Sequence, residues 1–173
     1  MVLETERLIL RQLTPQDFEA LYPVLGDSDI SRHYPYTFDE KRVRGWIDRN
    51  MQRYRVFGFG LWAVVLKRTG RLIGDCGLSM RTINGVIRPE IGYHIAKAYQ
   101  RQGFAKEAAK ACRDWAFANT PFGEMDSCMK RDNIASQATA RANGMRFVEA
   151  FTDAEGEESV TYRMTRQEWL QNR

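Results

Sequence analysis

Only two histidines, three cysteines and five prolines occur in these 173 residues, and each scarcity closes a class of function. Cys76, Cys112 and Cys128 are odd in number and form no C-x-x-C pair. With His33 and His94 the sole imidazoles, no metal site is expected. The thiols read as reduced, buried groups of a cytoplasmic protein. No apolar run approaches the roughly 18 residues that suggest a membrane span. The N-terminus alternates charges and aliphatics, which is not a secretory pattern. Repeats, low-complexity tracts and long linkers are missing, as are the phosphate motifs G-x-x-x-x-G-K-S/T and G-x-G-x-x-G. Acidic residues number 22 against 26 basic ones, and the net charge of +4 is too small to argue for nucleic acid.

What is present suits one globular domain over residues 1–173, with 43% hydrophobic and 28% charged residues. Its most informative stretch is Gln100-Arg101-Gln102-Gly103-Phe104-Ala105. Before it, Glu90 to Ile95 alternates in strand fashion. After it, Ala108, Ala109, Cys112, Trp115 and Ala116 form a helical stripe. Strand, glycine turn and helix start together aim backbone N–H groups at one spot, where the helix dipole also favours an anion. Gly103 permits positive φ and close approach, Ala105 keeps the first turn small, and Arg101 adds a cationic fork. A phosphate-bearing cofactor is the guest this arrangement suits.

Elsewhere the pattern predicts a first strand at Arg7–Arg11 and a helix from Pro15 to about Leu25, capped by Thr14. A short helix near Asp29 precedes the loop His33–Phe38, and Asp39 caps a basic helix ending before Gly58. Leu61–Lys67 and Arg71–Met80 form a hairpin, and a second one turns at Asn84-Gly85. Glu124–Met129 reads as a strand, Ile134–Asn143 as a helix closed by Gly144. Arg146–Thr152 and Ser159–Thr165 pair as the last two strands. The cluster Lys41, Arg42, Arg44, Arg49, Arg53 and Arg55 is either the solvated face of a helix with Val43, Trp46, Ile47, Met51 and Tyr54 inward, or a surface for an acidic partner or RNA.

The segment Pro89–Ala108 resembles the acetyl-CoA-binding motif of the GNAT superfamily of N-acetyltransferases, whose core is Q/R-x-x-G-x-G/A. Glu4-Thr5-Glu6-Arg7-Leu8-Ile9-Leu10-Arg11 is similar to the opening strand of the ribosomal-protein-alanine (RimJ/RimL-like) branch. Leu72-Ile73-Gly74 with Gly77-Leu78, and Asn133-Ile134-Ala135-Ser136 with Asn143-Gly144-Met145, fall in the expected order. The resemblance implies an α/β (α+β) fold: a mixed, mostly antiparallel sheet flanked by helices. Its fourth and fifth strands splay to admit the pantetheine arm. It implies acetyl-CoA as cosubstrate, with no metal. Gln100, Arg101, Gln102, Gly103, Phe104 and Ala105 would take the pyrophosphate, and Tyr93, His94 and Ile95 would line the arm.

The implied reaction is direct attack of a primary amine, on a protein N-terminus or a small molecule, within a ternary complex. No cysteine has an activating neighbour that would suggest a covalent route. Glu90 is the candidate general base, acting directly or through water; otherwise it ends a hairpin and pairs with an arginine such as Arg88. Ser136 stands where many members carry a tyrosine that protonates the leaving thiolate. It either bonds the sulfur or satisfies the first helical turn. Asn133 caps that helix, bonds the cofactor, or does both. His33, Tyr34, Tyr36 and Phe38 form an acceptor pocket or pack their loop against the sheet, and His33 is a second possible base. Asp75 is another carboxylate, by default a structural one. A detoxifying acylase and a non-catalytic CoA sensor are the rival functions. Trp169 and Leu170 are core or a dimer contact, so monomer and homodimer both remain open.

Overall fold

The computed structural model describes residues 3–172. One eight-stranded sheet organises them: β1 (Leu3–Glu4), β2 (Leu8–Arg11), β3 (Leu61–Leu66), β4 (Leu72–Ile83), β5 (Val86–Ile95), β6 (Glu124–Lys130), β7 (Arg146–Thr152) and β8 (Glu158–Thr165). Their spatial order is β1-β2-β3-β4-β5-β6-β8-β7. Every pairing is antiparallel except β5 with β6, which run parallel and share a single register pair, Glu90 with Asp126. Past Glu90 the two strands part. This is the expected splay, displaced to the fifth and sixth strands because β1 adds an edge strand of its own.

That extra strand divides the segment Glu4–Arg11, likened above to one opening strand, while β2 matches the strand expected at Arg7–Arg11. The chain folds back at Thr5–Arg7, with the Thr5 N–H donating to the Leu8 carbonyl. The first helix also starts later than expected. Pro15–Asp17 is a 3-10 turn closed by the Thr14–Asp17 capping box, and α1 runs Phe18–Leu25. α2 (Ser28–Ser31) and α3 (Glu40–Phe57) follow, the latter capped by Asp39 and ended by Gly58 at φ 77°. Val43, Ile47 and Tyr54 of α3 are buried. Arg42 and Arg44 lie over the Tyr36 and Phe18 rings, so the basic residues form the solvated side of a packed helix.

On one sheet face α1 and α3 bury Leu21, Leu25, Val43 and Ile47 against Ala63, Val65 and Leu72. On the other, α4 (Phe104–Asn119) sets Phe104, Ala108, Cys112 and Ala116 against Leu8, Leu10, Ile73, Leu78, Ile91 and Ile95. α5 (Ile134–Ala142) connects β6 to β7. A last helix, α6 (Arg166–Gln171), was not expected; its Thr165–Glu168 capping box initiates it. Trp169 is a core residue of that helix, 5.4 Å from the Phe117 ring.

Candidate active site

The head of α4 is built as a cradle. β5 ends at Ile95, a 3-10 turn covers Lys97–Tyr99, and Gly103 caps α4 at φ 83°. Arg101 also takes positive φ, 60°. With left-handed positions on either side of Gln102, the turn has the alternating backbone that can form an anion-binding nest. Among the described residues, the N–H groups of Arg101, Gln102, Gly103, Phe104 and Ala105 have no protein acceptor. The Arg101 guanidinium forms no ion pair there and stands exposed beside them. Five free donors at a helix N-terminus are the complement of a pyrophosphate.

Side chains brace the turn from behind. Gln100 Nε2 donates to the Ile95 carbonyl and Gln102 Nε2 to the Ala98 carbonyl. The folded-back segment after β1 supplies Arg7, whose guanidinium donates to the Gln102 carbonyl at 3.0 Å and pairs with Glu107 of α4 at 2.6 Å. Thr5 donates to the same Glu107 carboxylate. These bonds hold Glu107 below the usual carboxylate range, against the opposing effect of its burial. Sequence reading missed this brace, because its members lie about a hundred residues apart.

Where β5 leaves β6, its alternation sends two sets of side chains to opposite faces. Tyr93 points toward α5, and its hydroxyl lies 2.9 Å from both the Ser136 carbonyl and Ser136 Oγ. Burial pushes the Tyr93 phenol up to about 12. Asn133 Oδ1 accepts from the Ser136 N–H, which makes Asn133 the cap of α5.

Glu90 and His94 occupy the other face. Glu90 is 6% exposed. Its Oε1 accepts from Arg81 and from the Cys128 N–H, both at 3.1 Å, and Ser79 Oγ lies 3.5 Å from Oε2. Arg88, the partner expected from sequence, pairs with Glu124 and Asp126 instead.

His94 stands opposite Asp75 in the β4–β5 ladder. Its Nδ1 is 2.6 Å from Asp75 Oδ1, and Trp46 Nε1 of α3 donates to Oδ2 of the same carboxylate at 2.7 Å. His94 Nε2 lies 2.6 Å from the Tyr34 hydroxyl. Tyr34 thus reaches the sheet, packed edge-on against Phe38 and Trp46. Phe38 itself is buried in the core and lines no open surface, and Tyr36 is half-buried under Arg42. His33 lies 3.8 Å from Asp132, and burial, aided by Arg32, pulls its imidazole below the ordinary value. The loop therefore divides: Tyr34 bonds the strand-face residue His94, Tyr36 and Phe38 pack around the Tyr34 ring, and His33 turns toward Asp132.

Among the described residues no three His, Cys, Asp or Glu side chains cluster to hold a metal, and no helix is long and apolar enough to cross a membrane. A family model described as an acetyltransferase (GNAT) domain matches residues 7–146. The uncharacterized protein YkkB of Bacillus subtilis (strain 168) is 34% identical over 84% of this chain and 85% of its own. The crystal structure of a GNAT-family acetyltransferase from Bacillus anthracis superposes with a TM-score of 0.84 at 23% identity, covering 96% of this chain and 99% of that one. RimL, a ribosomal L7/L12 alpha-N-protein acetyltransferase solved with coenzyme A, gives 0.78 at 18% identity over 95% and 97%. These last two likenesses speak for the fold. Taken with the matched family model, the parted strands and the N–H cradle, they place the chain: it belongs to the GNAT acetyltransferase family and is an acyltransferase.

Proposed function

We propose that this protein is an acetyl-CoA-dependent N-acetyltransferase whose donor sits with its pyrophosphate on the Arg101–Ala105 cradle and its arm between β5 and β6. Bound acetyl-CoA supplies an acetyl group activated as a thioester. The observation that carries the reading is the set of five unbonded N–H groups beside a splay that opens one residue pair into the β5–β6 ladder.

Gly103 keeps the backbone within reach of the anion, and Arg101 adds charge. Tyr93 and Ser136 present a hydroxyl pair on the α5 side, able to hold a proton for the departing sulfur. The acceptor is a primary amine of a protein N-terminus or a small molecule, taken from the side of Glu90, Tyr34 and His94. An N-terminal amine, with its ordinary pKa near 7.7–8.0, is partly neutral at physiological pH. That suits a site without a strong base, and so fits the ribosomal-protein-type branch.

Direct transfer is favoured over a cysteinyl intermediate. Cys76 and Cys112 are fully buried, and burial pushes the Cys128 thiol up to about 11, so no thiolate is ready to attack. Calorimetry with acetyl-CoA, CoA and NADH tests the reading. Micromolar binding of acetyl-CoA with little for NADH is expected; absence of acetyl-CoA binding in folded protein refutes it.

A further inference from the structure

Resting on the acyl-transfer reading above, we infer that Tyr34, His94 and Asp75 form the proton-accepting relay of this site, with Trp46 positioning its carboxylate. The case begins with Asp75, a charge at 0% exposure in the middle of β4. Burying an isolated carboxylate is costly, and here both oxygens are satisfied, one by His94 Nδ1 and the other by Trp46 Nε1. An ionised carboxylate only accepts, so Nδ1 carries the ring proton. In the neutral ring Nε2 is then an acceptor, and Tyr34 donates to it. The three groups form one directed chain from the hydroxyl of half-buried Tyr34 to a buried anion.

The outer end of that chain is open. Among the described residues His94 is the sole hydrogen-bond partner of the Tyr34 hydroxyl, so its oxygen remains free to accept from an incoming amine. Glu90 differs in this respect, because Arg81 and the Cys128 N–H already occupy one of its oxygens. The charged and titratable groups facing the relay are Glu90 and Arg81 from the sheet and His33 and Tyr36 from the loop. Burial raises the Tyr34 pKa beyond that of an ordinary tyrosine, and Asp75 and Glu90 add to this by disfavouring a phenolate. Tyr34 therefore works by passing a proton on rather than by ionising.

In the transfer, the nitrogen–carbon bond forms as the carbon–sulfur bond breaks, and the sulfur keeps the electron pair. The proton shed by nitrogen goes to Tyr34 Oη while the phenol's own proton moves to His94 Nε2. The resulting imidazolium faces ionised Asp75. The thiolate takes a proton from the Tyr93–Ser136 hydroxyl pair, which solvent reprotonates, and the imidazolium later returns its proton to solvent.

Two measurements test the relay. With only two histidines in the chain, long-range 1H–15N spectra of labelled full-length protein at neutral pH assign both rings by comparison with His94→Gln. The Nδ1–H tautomer at His94 is expected, with a mixed tautomer in Asp75→Asn. A proton resting on Nε2 in the wild type overturns the relay, whether or not any cofactor binds. The second measurement follows CoA release from acetyl-CoA with an alanine-initiated peptide and with spermidine. Tyr34→Phe and His94→Gln should each lower kcat by about 100-fold or more while leaving the KM for acetyl-CoA within about twofold. His94→Gln should also abolish the acid limb of the kcat/KM profile. Wild-type rates and an unchanged limb in both variants overturn the inference. Failure of the wild type to bind acetyl-CoA counts against the proposed function alone, and the tautomer then decides the relay.

Discussion

Gly103→Val is the sharpest perturbation of the donor cradle, because a matched control separates its two effects. Gly103 caps α4 at φ 83°, a region that a β-branched residue enters only as an outlier. The strain is about 1–2 kcal/mol. Sterics add little, since the nearest atom to a new Cβ is the end of the Arg7 side chain at 3.4 Å. Gly58 ends α3 at φ 77° with nothing within 4 Å of a Cβ, so Gly58→Val carries the same backbone penalty far from the cradle. At about 2–4 °C per kcal/mol for a chain of this size, both variants should lose several degrees in Tm. Binding should separate them. To escape the strain, the turn must rotate the N–H groups of Gly103 and Phe104 away from their common focus. Each hydrogen bond to a charged group contributes about 1.5–3 kcal/mol. Losing two therefore weakens acetyl-CoA binding by at least about 3 kcal/mol, roughly 100-fold in Kd. Calorimetry on both variants reads this directly. A folded Gly103→Val protein with wild-type affinity would refute the placement of the pyrophosphate.

Glu90→Gln should lower the transfer rate less than about tenfold and leave the acid limb of the pH profile in place, because Tyr34 and His94 take the proton; loss of that limb in steady-state kinetics would return the base to Glu90. Glu168 closes the α6 capping box, where the Thr165 N–H and hydroxyl and Arg146 hold its carboxyl down at about 2, against 4.5 as the ordinary value. A depressed carboxylate stabilises the fold above its unfolded pKa and loses that effect as pH falls through the folded one. The Tm difference between wild type and Glu168→Gln should therefore be full at pH 7 and shrink between about pH 4.5 and pH 2; a difference independent of pH would dismiss the cap as its source.

Local chemistry made most of the donor side readable from sequence. Gly103 lies between an alternating strand that ends at Ile95 and a helical stripe that begins at Ala108, so neighbours along the chain announce the cradle. The same holds for the Asn84-Gly85 turn, where both residues take positive φ as a two-residue hairpin requires. α6 escaped notice because six residues give too short a period to read, although Thr165-x-x-Glu168 was a usable signal. The Arg7–Glu107 brace offered none: nothing in either segment names the other.

The acceptor side shows a middle case, in which the information was present but two steps deep. A two-residue turn fixes which residues of its strands face each other, and Asp75 and His94 sit equal distances from Asn84-Gly85. The turn thus dictates that a carboxylate and an imidazole stand side by side, and Ser79 beside Glu90 by the same rule. Alternation then puts His94 and Glu90 on one face and Tyr93 on the other, which divides by parity the β5 side chains proposed to meet the amine from the one proposed to meet the sulfur. What register cannot supply is the third dimension. Trp46 reaches Asp75 from α3 and Tyr34 reaches His94 from a loop, and both contacts depend on how that helix packs against the sheet. A slip of one residue in the β5 register would move His94 to the opposite face and dissolve the relay, and it would also lift Ile91 and Ile95 off α4. The two halves of the site are therefore separated only by a change that leaves the strand in register: Tyr34→Phe, which alters a loop side chain, should bind acetyl-CoA with wild-type affinity while transferring its acetyl group slowly.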